Sequence, residues 1–245
     1  MINQRIFGTV YIRGEPVAYG KKYARYKNAP ELKIGNSVAG KELSWIEVNG
    51  ILVSDRNVVR NISWYELDAQ GLVWGREVTV DGQRYILRLL GKTADGRDEW
   101  DAALMETAGT RLGLAWLWNC DGGASWTQEE SPSGSNCKIL RGGTLAENRV
   151  RFSVYERGNT TGWRPVLEPV RLPLSELVNK SVLVHCGSGG TASGILLEYT
   201  DYDLILATPG GLPQTAADGK FAVKVSHGIY AFDRSLVTGI ELNRE

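Results

Sequence analysis

A chain of 245 residues, 42 % of them hydrophobic, with 28 basic against 28 acidic side chains, can bury a sizeable core and make one large or two to three small domains. Its zero net charge argues against nucleic-acid binding driven by bulk electrostatics, and no apolar run reaches bilayer-spanning length. MINQRIFGTV lacks the basic region and long apolar run of a secretory signal, and the three widely spaced cysteines fit reduced thiols, so a cytoplasmic protein is expected.

The charge is unevenly spread. Residues 1–60 carry ten Lys and Arg against five Asp and Glu, residues 61–170 twelve against fifteen, and residues 171–245 six against eight. In the basic first part, GKKYARYKNAP mixes Lys21, Lys22, Arg25 and Lys27 with Tyr19, Tyr23 and Tyr26, a pattern suited to phosphates and stacked bases. A solvated hairpin edge is the favoured reading, because the chain lacks the net positive charge of a nucleic-acid-binding domain. IFGTVYI, SWIEV and ILVSD are β-prone, and Asn49-Gly50 between the last two predicts a type I′ hairpin. Residues 1–61 therefore read as an N-terminal β subdomain.

ISWYELDAQGL predicts a short helix with Ser63 as N-cap and Glu66 completing a capping box. GREVTVDGQRYILRLL predicts a hairpin turned at Asp81-Gly82, with Val78, Val80, Tyr85, Leu87 and Leu89 on one packed face. DEWDAALMETA predicts a second helix that turns Trp100, Ala103, Leu104 and Ala108 inward and leaves Asp98, Glu99, Asp101 and Glu106 mostly outside. Its early acids complement the helix dipole. A glycosidase pair is not favoured, because that chemistry needs two carboxyls at a set separation across a cleft.

From Trp116 to Pro169 the chain packs WLW, SWTQEES, CKILRGG and GWRPVLEP together with little hydrophobic periodicity, which predicts a loop-rich core ordered by Trp116, Trp118, Trp126 and Trp163. Gly142-Gly143 and Gly162 mark sharp turns or close backbone approach. Between them lies the polar run TLAENRVRFSVYERGNTT. This order of motifs, Ser125-Trp126, Cys137, Arg141-Gly142-Gly143 and Gly162-Trp163-Arg164-Pro165, resembles the C-type-lectin fold of formylglycine-generating-enzyme-like domains and of the variable ligand-binding proteins of phage diversity-generating retroelements. It is also similar to phage and prophage proteins of Gram-positive bacteria that end this domain with WRPVLE.

The resemblance covers residues 62–169. It implies that the segment between the two glycine landmarks presents ligand-contacting side chains: Leu145, Glu147, Asn148, Arg149, Arg151, Ser153, Tyr155, Arg157 and Asn159, with Trp163 beside them. The chain departs from the family in two respects. Cys120 and Cys137 have sixteen residues between them rather than being closely paired, so oxidase activity is not carried over. The oxygen cluster a calcium ion requires is missing, Glu129 and Glu130 reading as solvated loop charges, and neither metal nor cofactor is expected. Arg164 reads as a core residue pairing with a buried acid or carbonyls.

After Pro169, LPLSELVNK predicts a helix, and KSVLVHC, ASGILLEYTDY, DLILATP, FAVKVSHGIYAF and VTGIEL predict about five strands. Residues 170–245 thus look like a small Sm-like or SH3-like β-barrel, bent at Gly194. Cys186 and His185 alternate along a strand and point to opposite faces, which disfavours a Cys-His nucleophile and leaves a buried thiol. GSGGTAS at 187–193 is not followed by the lysine a phosphate-binding loop needs.

The expected fold is α+β and β-rich: a C-type-lectin-like central domain (62–169) between an N-terminal β-hairpin subdomain (1–61) and a C-terminal barrel (170–245). The leading functional expectation is a non-enzymatic, phage-derived, homo-oligomeric binding protein. It would display residues 144–161 to a host-surface protein, a glycan or a virion partner, and reside in the bacterial host cytoplasm or the virion. The alternative is an intracellular counter-defence protein that sequesters a small phosphorylated, nucleotide-like ligand with Arg149, Arg151, Arg157 and Arg164 beside Tyr155 and Trp163. With only two histidines in the chain, His185 and His227, an enzyme is the weaker reading. Neither nucleic acid nor membrane insertion is expected.

Overall fold

The computed structural model describes residues 4–18, 21–23, 30–93, 96–107, 123–132, 134, 136–170, 173–186, 190–212 and 221–243. Tyr19, Arg25, Tyr26, Lys27, Ala108, Trp116, Trp118 and Cys120, and residues 187–189 of the GSGGTAS run, lie outside them. The chain divides into two units, Met1–Pro169 and Val170–Glu245.

In the first unit one sheet runs in the order β2 (Glu15–Val17), β1 (Gln4–Ile12), β5 (Glu42–Val48), β6 (Ile51–Ser54), β14 (Val166–Pro169), β9 (Gln83–Arg88), β8 (Arg76–Val80), with β4 (Leu32–Gly35) also paired to β1. The pairing of β6 with β14, Val53 opposite Val166 and Leu52 opposite Leu167, puts residues before and after position 61 in one ladder. The segment 1–61 is therefore an integral part of this unit and not a separate subdomain. Both predicted hairpin turns have the left-handed backbone that type I′ requires, with φ of 49° and 79° at Asn49-Gly50 and 48° and 80° at Asp81-Gly82. The sheet curls: Gly8, in a bulge on β1 with φ +69°, sits where an added Cβ would meet Val80 Cγ1 of β8 at 2.9 Å.

A second sheet runs β12 (Arg149–Ser153), β11 (Cys137–Gly142), β10 (Ala124–Glu130), β13 (Thr161–Trp163), β7 (Val59–Arg60), β3 (Lys21–Lys22). The described part of the Trp-rich stretch is thus mostly strand, not loop. Its periodicity is hidden because β10 is buried on both faces and its polar residues bond to other elements, Ser125 Oγ donating to Asn57 Oδ1 at 2.8 Å and Thr127 Oγ1 to the Ile139 carbonyl at 2.9 Å. Gly162 has the predicted close approach, since a Cβ there would lie 2.6 Å from the Val59 carbonyl oxygen. Gly142 and Gly143 have the predicted turn geometry, with φ of 86° and 105°.

The main core gathers Phe7, Trp45, Tyr85, Leu87, Trp126, Trp163 and Leu167. All five predicted residues of the β8–β9 face are buried, Val78, Val80, Tyr85, Leu87 and Leu89. Along β5 the alternation divides two cores: Leu43 and Trp45 enter the main one, while Ile46 and Val48 join a second with Trp100 and Ala103. That second core packs helix α2 (Glu99–Thr107) with β5, β6 and β14. Fully burying such a side chain contributes on the order of 1.5–3 kcal/mol. The indoles also act as staples, Nε1 of Trp45, Trp64, Trp100 and Trp126 donating to the carbonyls of Phe7, Thr127, Ala146 and Ile62. Helix α1 (Trp64–Asp68) begins with the predicted capping box, in which Ser63 and Glu66 bond reciprocally.

The second unit holds helix α3 (Leu174–Leu177) and a curled antiparallel sheet, β18 (Ala222–Ser226), β19 (Ile229–Asp233), β17 (Asp203–Ala207), β16 (Gly190–Tyr199), β15 (Ser181–Cys186), β20 (Val237–Leu242). FAVKVSHGIYAF, expected as one strand, is a hairpin, because Gly228 takes φ +69° and turns the chain back. Gly194 faces Ala207, whose carbonyl oxygen a Cβ would approach to 2.5 Å. Cys186 is buried with Val182, Leu196, Leu206 and Phe232, while His185 Nε2 lies 3.0 Å from Glu241 Oε1. No helix among the described residues is long and apolar enough to cross a membrane.

Candidate functional site

The segment from Arg141 to Trp163 is built around β12, the end strand of its sheet among the described residues. β12 pairs with β11 along one side, Arg149 opposite Arg141 through Ser153 opposite Cys137. Arg149, Val150 and Arg151 are all exposed, so the first half of the strand is open to solvent on both faces, while Phe152 packs against Trp126 and the main core. An edge strand offers a row of backbone donors and acceptors to another chain. The segment is pinned at its ends by two backbone contacts, the Ala146 carbonyl accepting from Trp100 Nε1 at 2.9 Å and the Val154 carbonyl accepting from Tyr65 N at 2.9 Å.

Beyond β12, Tyr155 (62 % exposed) leans on Tyr65 (54 % exposed) of α1, ring centroids 5.3 Å apart and tilted by 46°. Two solvent-facing aromatic rings held against each other form an amphipathic contact platform of the type that anchors interfaces. On the same helix Trp64 meets the exposed Trp74 edge-on at 6.0 Å, and the Lys138 ammonium lies 4.8 Å from the Trp64 centroid and 5.5 Å from that of Trp74. Lys138 also pairs with Glu130 at 3.0 Å.

Of the residues the sequence pointed to, Glu147, Arg149, Arg151, Tyr155 and Asn159 are exposed and Asn148 and Ser153 half-buried, as is Arg157. Trp163 is fully buried and presents nothing to a ligand, because β13 is covered on both sides. Arg157 points inward: it forms a bidentate pair with the buried Glu66, Nε to Oε2 at 2.8 Å and Nη2 to Oε1, and lies over the Tyr23 ring. Burial pushes the Glu66 carboxyl up, but the bonds from Arg157 and Ser63 outweigh it and hold the group below the ordinary glutamate range. Tyr23 is fully buried, donates to the Pro30 carbonyl at 2.7 Å and is pushed up to about 12 by that burial. It has no face left for a nucleobase.

Arg149 belongs to an ionic cluster. Its guanidinium reaches Asp101 at 3.1 Å, Asp98 at 3.4 Å and Glu129 at 3.1 Å. The buried Arg141 bonds Asp101 and faces Glu129 at 3.6 Å, stacked on Trp100. Three carboxylates thus surround two guanidiniums. Burial pushes the Glu129 carboxyl up, Asp98 and Asp101 push the same way, and Arg149 and Arg141 offset only part of the rise. Glu129 is accordingly a strand residue in a charged cluster, not a solvated loop charge. Among the described residues no group of His, Cys, Asp and Glu has the arrangement to hold a metal ion.

Glu99, expected outside, is 6 % exposed because Arg88 reaches it bidentately from β9 at 2.7 Å through both terminal nitrogens. Arg164 is buried beside Trp100 and donates to Ser125 Oγ at 3.3 Å. The arginines proposed to converge on a phosphate are therefore dispersed: Arg164 in the core, Arg157 on Glu66, Arg149 among three acids. Tyr65, Trp74 and Lys138 were not read from the sequence as surface groups; the clue available was the adjacent aromatic pair Trp64-Tyr65 in a helix too short to bury both.

No family model, curated protein or solved structure matches the chain.

Proposed function

We propose that the chain is a non-catalytic binding protein that engages an extended segment of a protein partner along the open edge of β12, with Tyr65 and Tyr155 as its anchor. The observation that carries this reading is the projecting strand, paired on one side and ending at two exposed, mutually packed tyrosines. A partner strand added there would take its affinity from main-chain hydrogen bonds and its specificity from side chains meeting Val150, Arg151 and the tyrosine pair. The finer readings belong to the same proposal: a C-type-lectin-like first unit of phage type, resting on the Trp and Gly motifs quoted above, and an Sm-like second unit that attaches it to a homo-oligomeric assembly.

Selection of a displayed random-peptide library on the immobilised protein tests the site. The selected peptides are expected to bind at least tenfold more weakly when Tyr65 and Tyr155 are both replaced by Ala, a loss of about 1.4 kcal/mol or more. Peptides that bind the double variant as tightly as the parent protein would place the site elsewhere.

A further inference from the structure

On the other sheet of the first unit lies a concavity of about 420 Å³ lined by Tyr11, Gly14, Glu31, Lys33, Asn36 and Thr79. Its volume falls within the range of small-molecule pockets, roughly 300–1,000 Å³. The floor is fixed. The Tyr11 ring lies against Gly35, where an added Cβ would meet Tyr11 Cε2 at 3.2 Å, and its hydroxyl donates to the Asn36 carbonyl at 2.9 Å. Asn36 Oδ1 accepts from Asp81 N at 2.8 Å, and Asp81 accepts from Ser37 N at 2.8 Å and from Ser37 Oγ at 2.6 Å, tying this loop to the β8–β9 turn. Gly14 leaves the rim open, with nothing within 4 Å of an added Cβ.

The lining is chemically mixed. Lys33 stands directly across from Tyr11, with Glu31 two residues before it; both are exposed and neither side chain forms an ion pair among the described residues. One ammonium, one carboxylate, two hydroxyls, a carboxamide and an aromatic face offer donors and acceptors in balance with no net charge. An anion or a cation would meet a like charge there. A neutral polyhydroxyl ring suits it, since each hydroxyl both donates and accepts while the ring's C–H face rests on an aromatic side chain.

We infer that this concavity is a saccharide subsite, taking one or two pyranose rings with the Tyr11 ring as platform and Glu31, Lys33 and Thr79 as hydrogen-bonding partners. It is separate from the β12 edge and does not depend on the function proposed there. The probes are D-glucose, D-galactose and N-acetyl-D-glucosamine, titrated to about 50 mM in view of the millimolar affinities of small polar sites and followed by amide NMR of the intact chain.

At least one sugar is expected to shift Gly35, Asn36 and Thr79 selectively. Glu31→Ala should weaken that binding about tenfold through loss of a charged acceptor. Gly14→Asn, tolerated at a left-handed backbone position, should block it by filling the rim. Tyr65→Ala/Tyr155→Ala should leave it unchanged, so a failure at β12 and a failure here are told apart. The inference is overturned if no sugar moves these resonances, if Glu31→Ala and Gly14→Asn bind as the parent does, or if free glycine moves the same resonances and the sugars do not.

Discussion

Replacing Arg157 by Met removes the guanidinium from Glu66 and keeps the apolar stem over Tyr23. The Glu66 carboxylate, 8 % exposed, then has Ser63 N at 3.0 Å and Ser63 Oγ at 2.8 Å as its remaining donors. Stranding one charge of a buried pair costs about 3–5 kcal/mol. The lower figure of about 3 kcal/mol applies because the Arg157 side chain keeps 18 % exposure, which admits solvent to the site. All eight tryptophans precede residue 170, so urea unfolding followed by selectively excited tryptophan fluorescence reports the first unit alone. With a slope near 2–3 kcal/mol per M, the midpoint should fall by about 1–1.5 M at pH 7.

The pH dependence fixes the origin of the loss. Glu66 is held below its ordinary value when folded, so its contribution is present above the unfolded pKa of about 4.3 and is lost as pH falls through the depressed folded value. The gap between parent and Arg157→Met should therefore be full at pH 7 and narrow well below pH 4. An unfolding free energy within about 0.5 kcal/mol of the parent at pH 7 would refute a structural role and return Arg157 to the ligand-contacting surface.

Glu129→Gln should leave stability at pH 7 unchanged or raised, because a carboxyl whose folded pKa is raised costs stability once pH climbs above the unfolded value; the difference should vanish below about pH 4, and a loss above about 1 kcal/mol at pH 7 would contradict this. Gly162→Ala should lower stability by about 1–3 kcal/mol or more through overpacking against the Val59 carbonyl and Asn57, read by the same urea titration. Ser125→Ala leaves Asn57 Oδ1 without its buried donor and should cost about 1–3 kcal/mol. Thiol alkylation mapped by mass spectrometry should modify the half-exposed Cys137 before Cys186, whose thiol is buried and pushed up by that burial.

Local rules made the hairpins and the first helix legible: Asn49-Gly50, Asp81-Gly82 and the Ser63–Glu66 box are decided within a few residues, and the chain obeys them. What lay hidden is non-local. β10 carries Ser125 and Thr127 on a face that alternation with Trp126 assigns to solvent, yet both are buried, because Asn57 and the Ile139 carbonyl, distant in sequence, satisfy them. Glu99 reads as a surface acid until Arg88 reaches it from another element, and Arg157 as a surface base until Glu66 does. Nothing in residues 1–61 announces that β6 will pair with β14, more than a hundred residues on. The candidate surface was legible as a segment, since polar runs between glycine landmarks belong at an edge, but its aromatic half was not, because Tyr65 comes from a different part of the chain.

The anchoring of β12 bears on how freely its sequence can drift. No side chain from Glu147 to Ser153 is buried, and the two contacts that fix the ends of this stretch use the carbonyls of Ala146 and Val154, which every amino acid possesses. Substitutions across these positions leave core and frame untouched, apart from the ionic ties of Arg149 and the packing of Phe152 against Trp126 and the main core. A lineage could therefore exchange one set of exposed side chains for another here while the tryptophan-stapled scaffold beneath stays the same.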